Sequence, residues 1–92
     1  MKATADLQVI PLGEGVSVRQ QIIKVVELLS EYPLIVNTHA AGTNLEGSLA
    51  DILKAVEEVH GLLHDNGTVR ILSYLKLETR TDKETTLEGK RL

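Results

Sequence analysis

The stretch "LIVNTHAAGTNLEGSL", residues 34–49, decides the fold. "LIVNTHA" reads as a strand and "TNLEG" as another, with a short "AAG" turn between them, which predicts a hairpin. Ser48 then opens a helix. Asp51, three residues on, answers the cap as a weaker version of the usual Glu or Gln. Ile52, Leu53, Val56, Val59, Leu62 and Leu63 form the apolar stripe of that helix. "DNG" closes it, with Gly67 at a left-handed C-cap.

Outward from this centre, the remaining elements follow. Residues 3–10, "ATADLQVI", alternate: Ala3, Ala5, Leu7 and Val9 fall on one face, and Thr4, Asp6, Gln8 and Ile10 on the other. "PLGEG" ends that strand. Ser17 is the expected N-cap of a first helix with Val18, Ile22, Val25, Val26 and Leu29 at helical spacing. Pro33 forbids much continuation. "TVRILSYLKLET" is a last alternating strand, with Val69, Ile71, Leu75 and Leu77 opposed to Arg70, Leu72, Tyr74, Lys76 and Glu78. The polar tail, residues 81–92, forms a short helix or remains mobile. The order β-α-β-β-α-β over residues 1–92 predicts one α+β domain of ferredoxin-like fold. Its four-stranded antiparallel sheet carries both helices on one face.

Composition narrows the function. The chain has 92 residues, 42% hydrophobic and 25% charged, ordinary values for a globular domain. Two tyrosines are the only aromatics, so the core must be aliphatic. The formal net charge of −3 speaks against nucleic acid, whose phosphates need a basic footprint. No cysteine is present, which excludes disulfides, thiolate metal sites and thiol catalysis. No run of about 18 apolar residues exists to span a membrane. The start "MKATADLQVI" lacks a signal-peptide core, so the expected location is cytoplasmic. No cofactor and no metal site is expected. His60 and His64 lie four apart on the second helix, but no third ligand is evident nearby, and they read as a solvated helix end.

With the helices on one side, the other sheet face must meet water, a ligand or another subunit. It carries Thr4, Asp6 and Gln8 from the first strand, Asn37, His39, Asn44 and Glu46 from the hairpin, and Arg70, Tyr74 and Lys76 from the last strand. Leu72, Ile10 and Tyr74 set apolar groups among these charges, as an interface needs. The last strand is expected at the sheet edge, where pairing with another chain is common. Both features suit a homo-oligomer.

Three segments in order, "VIPLGEGVSV", "HAAGTNLEG" and "GTVRILSYLKLETRTDKETTLEGK", resemble the YkoF-like thiamine-binding family, in its small single-domain members. The resemblance implies a ferredoxin-like fold and sheet-to-sheet assembly into dimers and tetramers. It also implies binding of thiamine or its hydroxymethylpyrimidine part between subunits, without catalysis. The positions it carries over are Ser17, Gly42, Thr43, Glu46, Gly47, Arg70 and Arg80. An aminopyrimidine offers a donor amine beside acceptor ring nitrogens. Carboxylate and amide oxygens of Asp6, Gln8, Asn44 and Glu46 can accept from the amine, and Thr43 or asparagine can donate to the ring. A net-acidic pocket would tolerate the thiazolium charge. The expected ligand-binding set is therefore Asp6, Gln8, Asn37, His39, Thr43, Asn44, Glu46, Arg70 and Tyr74.

Two rival readings share the fold. An acylphosphatase-like hydrolase would use Arg19 to bind phosphate and Asn37 to orient water, helped by the helix N-terminus. A structural or regulatory oligomer would hold no small ligand.

Overall fold

A computed structural model describes residues 1–13 and 18–91. The elements are β1 (Lys2–Leu12), α1 (Arg19–Leu29), β2 (Ile35–His39), β3 (Gly42–Ser48), α2 (Leu49–Asp65) and β4 (Arg70–Glu78), followed by a 3-10 turn at Glu88–Lys90. The strands form one antiparallel sheet in the order β2-β3-β1-β4, which puts β4 at an edge and makes the chain a ferredoxin-like α+β domain.

The α2 boundaries follow from its caps. Ser48 Oγ accepts the Asp51 N–H at 3.0 Å, which satisfies one of the free donors of the first turn. At the other end Gly67 adopts φ +101, and the Gly67 and Thr68 N–H groups return to the His64 and Leu63 carbonyls. That crossed pair is a Schellman stop, which needs a residue without Cβ strain. The buried stripe is Ile52, Ala55, Val59 and Leu63. Leu53 is instead 48% exposed, because it lies a quarter-turn beyond Ile52 on the helix surface, and Ala55 takes the inward place. For α1, the predicted cap Ser17 lies outside the described residues; Val18 flanks the helix without a side-chain cap bond.

β1 runs two residues further than its pattern suggested, through Pro11 and Leu12. Beyond Leu7 it pairs with β4 alone among the described residues, Pro11 opposite Ile71. A proline is tolerated where no ladder donor is required.

The core lies between the sheet and the helices and is wholly aliphatic: Ala3, Ala5, Leu7, Val25, Leu29, Leu45, Ile52, Ala55, Val59 and Leu63. Each large member removed from water contributes roughly 1.5–3 kcal/mol. Gly47 leaves room for the Leu34 side chain, which a larger residue would displace. A Cβ there would overlap Leu34 Cδ2 and stand 3.3 Å from the Pro33 carbonyl. The two histidines of α2 are tied into this layer. His60 Nε2 meets Ser73 Oγ at 2.7 Å, and His64 Nδ1 donates to the Thr68 carbonyl at 2.8 Å. Among the described residues, no three His, Asp or Glu side chains are placed to hold a metal, and no helix is long and apolar enough to cross a membrane.

Candidate functional site

Strand register sets the helix-free face in rows. Ile35, Glu46, Thr4 and Glu78 form the first row, read from β2 to β4. Asn37, Asn44, Asp6 and Lys76 form the second. Beyond them the hairpin ends with His39 opposite Gly42, and β1 and β4 continue with Gln8 opposite Tyr74, Ile10 opposite Leu72 and Leu12 opposite Arg70.

The tail does not stay free. Residues 79–91 turn back as a strap across the first row. Thr85 is buried against Thr4, their hydroxyl oxygens 3.2 Å apart. The Thr85 hydroxyl donates to Glu78 Oε1 at 2.9 Å, so Thr4 must be the donor to Thr85. Lys90 pairs with the same Glu78 oxygen. One strand further, the Leu87 N–H donates to Glu46 Oε1 at 2.7 Å, while Glu46 Oε2 sits 3.5 Å from Lys2 Nζ. Arg80 is spent within the strap on a two-pronged pair with Asp82, which raises the guanidinium's pKa and lowers that of the carboxyl.

Glu78 gives the strap a pH dependence. Hydrogen bonds from Lys90 and then from Thr85 hold its carboxyl below the ordinary value of 4.5. A lowered pKa in the docked state means that Glu78 favours docking above about pH 4.5 and loses that effect as pH falls through the lowered value. Acidification should release the strap before the sheet unfolds. Amide signals of Thr85 and Leu87 should move toward unstructured positions while those of β1 and β3 do not.

Between strap and sheet lies an open groove of about 910 Å³. Its floor is the second row; its walls include Ile35, Glu46 and Glu78 with Thr86, Leu87, Glu88, Lys90 and Arg91 of the strap. The volume lies within the ordinary range for small-molecule sites, about 300–1,000 Å³. Three of its four carboxylates are matched within the chain: Glu46 by Lys2, Glu78 by Lys90 and Glu88 by Arg91. Asp6 Oδ1 accepts from His39 Nε2 at 2.8 Å. His39 Nδ1 accepts the Ala41 N–H at 3.2 Å, which fixes the remaining proton of the neutral ring on Nε2. Gly42 lies beneath this ring: a Cβ there would stand 2.8 Å from the Leu7 carbonyl, 3.0 Å from Asp6 Oδ1 and 3.4 Å from His39 Cε1. It is thus a strand residue kept small by close approach, while Ala40 and Ala41 alone make the turn. Among the described residues, the Asn37 and Asn44 amides, the Lys76 ammonium and the second Asp6 oxygen have no partner.

Of the residues expected at the site, Asp6, Asn37, Asn44 and Glu46 meet in the groove. His39 reaches its floor through Asp6. Thr43 does not join them. It pairs with Leu7 and Thr38, is buried, and points to the helix layer. With Gln8, His39, Ile22 and Val25 it lines a smaller cavity of about 230 Å³ between the hairpin and α1. Gln8 borders that cavity as well, one row beyond the groove. Tyr74 and Arg70 lie further along β4; Arg70 stands six residues from Lys76, about 20 Å at strand rise. Lys76 and the strap residues were absent from the expected set. Asn37 lines the groove, and Arg19, the first residue of α1, does not.

Comparison with known proteins agrees with this architecture. UPF0045 protein MJ1052 of Methanocaldococcus jannaschii is 45% identical over 89 residues, 97% of this chain and 88% of its own. UPF0045 protein sll0230 of Synechocystis is 40% identical over 90 residues, 98% of this chain and 74% of its own. The MJ1052 crystal structure superposes with a TM-score of 0.91 over 97% of this chain and 91% of that one. TM0486 of Thermotoga maritima, named provisionally for thiamine biosynthesis or salvage, shares the fold. Its TM-score is 0.86 at 22% identity, covering 98% of this chain and 95% of that one. A sequence model of the family described as thiamine-binding protein matches residues 5–91. The chain belongs to the thiamine-binding protein family.

Proposed function

We propose that the chain binds thiamine or its hydroxymethylpyrimidine part in the open-face groove, and that it acts by binding rather than by catalysis. The observation that carries this reading is the second row. Asn37, Asn44, Asp6 and Lys76 stand in register on the groove floor with hydrogen-bonding capacity that no described residue takes up. Asp6 Oδ2 and the asparagine oxygens accept from an exocyclic amine, and the asparagine amides and Lys76 donate to ring nitrogens or a hydroxyl. The family to which the chain belongs supports a small-molecule ligand.

The same reading includes self-association. Leu72, at 44% exposure, and Tyr74, at 59%, form an apolar half of the sheet face with Ile10 and Leu12, beyond the reach of the strap. A second copy covering that half would remove apolar surface from water and close the open end of the groove. Native mass spectrometry of the protein with added thiamine or hydroxymethylpyrimidine tests both parts. The expected spectrum is a dimer or tetramer carrying ligand mass. A monomer that takes up neither compound at millimolar concentration contradicts the reading.

A further inference from the structure

We propose that Glu46 is a positioning residue: its carboxylate latches the strap, residues 79–91, as the movable wall of the groove, past which ligand enters and leaves. The proposal rests on the ligand reading above for its second half only; the latch itself is a property of the empty protein.

Glu46 lies at the near wall of the groove and shares no free oxygen with its floor. Oε1 takes the Leu87 N–H at 2.7 Å and Oε2 faces Lys2 at 3.5 Å, with the side chain 11% exposed. The bond goes to backbone, so it fixes the path of the strap whatever side chain stands at position 87. A carboxylate accepting an N–H is among the stronger hydrogen bonds. The second anchor is the Thr4–Thr85–Glu78–Lys90 relay on the neighbouring strands. These anchors are polar, and a third polar contact, an exposed ion pair at 3.5 Å, joins Glu84 to Lys2. Thr85 is the only buried strap residue, and residues 79–84 are all exposed. A segment held by a few polar bonds, with little apolar burial, opens at far lower cost than the sheet beneath it. Residues 79–84 supply the hinge and Glu46 the catch, so the groove opens without disturbing β1 or β3.

Glu46→Gln and Glu46→Ala separate this role from direct ligand contact. Glutamine keeps an acceptor oxygen for the Leu87 N–H, whereas alanine keeps none. In the ligand-free protein, hydrogen exchange of the Leu87 amide should rise at least about tenfold in Glu46→Ala, as expected for a lost bond to a charged group, and little in Glu46→Gln. The β1 and β3 amides should stay protected in both. With thiamine as probe, association and dissociation should both accelerate in Glu46→Ala, so that Kd changes less than either rate, and Glu46→Gln should retain the wild-type rates. Unchanged Leu87 exchange in Glu46→Ala overturns the latch. Equal loss of affinity in both variants, with Leu87 still protected in Glu46→Gln, overturns it too, since the charge would then be touching ligand. Release of Leu87 in Glu46→Ala, in a protein that binds no thiamine in any form, supports the latch and overturns the ligand reading alone. Glu46→Val, which keeps a strand-favouring side chain but offers no acceptor, gives the same readout should Glu46→Ala not fold; unchanged Leu87 exchange there overturns the proposal.

Discussion

Leu45→Ala is expected to cost about 2–5 kcal/mol, the range for removing a leucine from a packed core. Leu45 is fully buried at the middle of β3, between Ala5 of β1 and Val36 of β2, under the helices. The aliphatic core makes the loss hard to absorb. Ala3, Ala5 and Ala55 are small and fixed to backbone, and the fully buried members of the core include no aromatic ring, Tyr32 packing against it from the side. Domains of this size keep roughly 5–15 kcal/mol in total. The melting temperature should fall by about 8–40 °C, at about 4–8 °C per kcal/mol for a domain this small. Urea unfolding gives the same quantity directly. A loss below about 1 kcal/mol would mean that the sheet and helices close over the hole, contrary to the packing described.

Asn44→Leu should have the larger effect on function. Its amide makes no bond within the described chain and faces Asp6 and Asn37 on the groove floor. Stability should therefore change little, while a bound pyrimidine loses one donor and one acceptor. A polar group left unpaired on burial costs about 1–3 kcal/mol, so thiamine affinity should fall roughly 10- to 100-fold by isothermal titration. Thr43→Val, on the adjacent residue but the opposite face, should leave affinity within about twofold. A loss in Thr43→Val that Asn44→Leu does not share would move the site to the hairpin–α1 cavity.

The contrast between these neighbours shows which parts of the structure could be read from sequence. Hairpin and α2 were legible because their signals are local: Ser48 and Asp51 are three residues apart, and Gly67 directly follows the helix C-cap Asn66. Alternation sorted residues between faces. It already put Thr43 on the opposite side from Asn44, since adjacent strand residues point apart. Thr43 entered the expected set through family resemblance, which carries positions rather than directions. Periodicity does not sort residues into rows. That Asp6 faces Asn44 on one side and Lys76 on the other depends on how β1 pairs with its two neighbours. The strap was least legible. Its residues carry no helix or strand period, and its anchors join Thr4 to Thr85 and Glu46 to Leu87, 81 and 41 residues apart. The same contacts alter the charge expected of the site. An acidic pocket was anticipated, but the strap's own Lys90 and Arg91 and the N-terminal Lys2 neutralise most of its carboxylates.

The most direct test of the groove as the binding site is an NMR titration with hydroxymethylpyrimidine, following backbone and side-chain amides together. Saturable shifts should appear in the Asn37 and Asn44 side-chain amides and in the backbone of Asp6, Lys76 and Leu87. Shifts confined to Ile22, Val25 and Thr43, or no saturable shift at millimolar ligand, would contradict it.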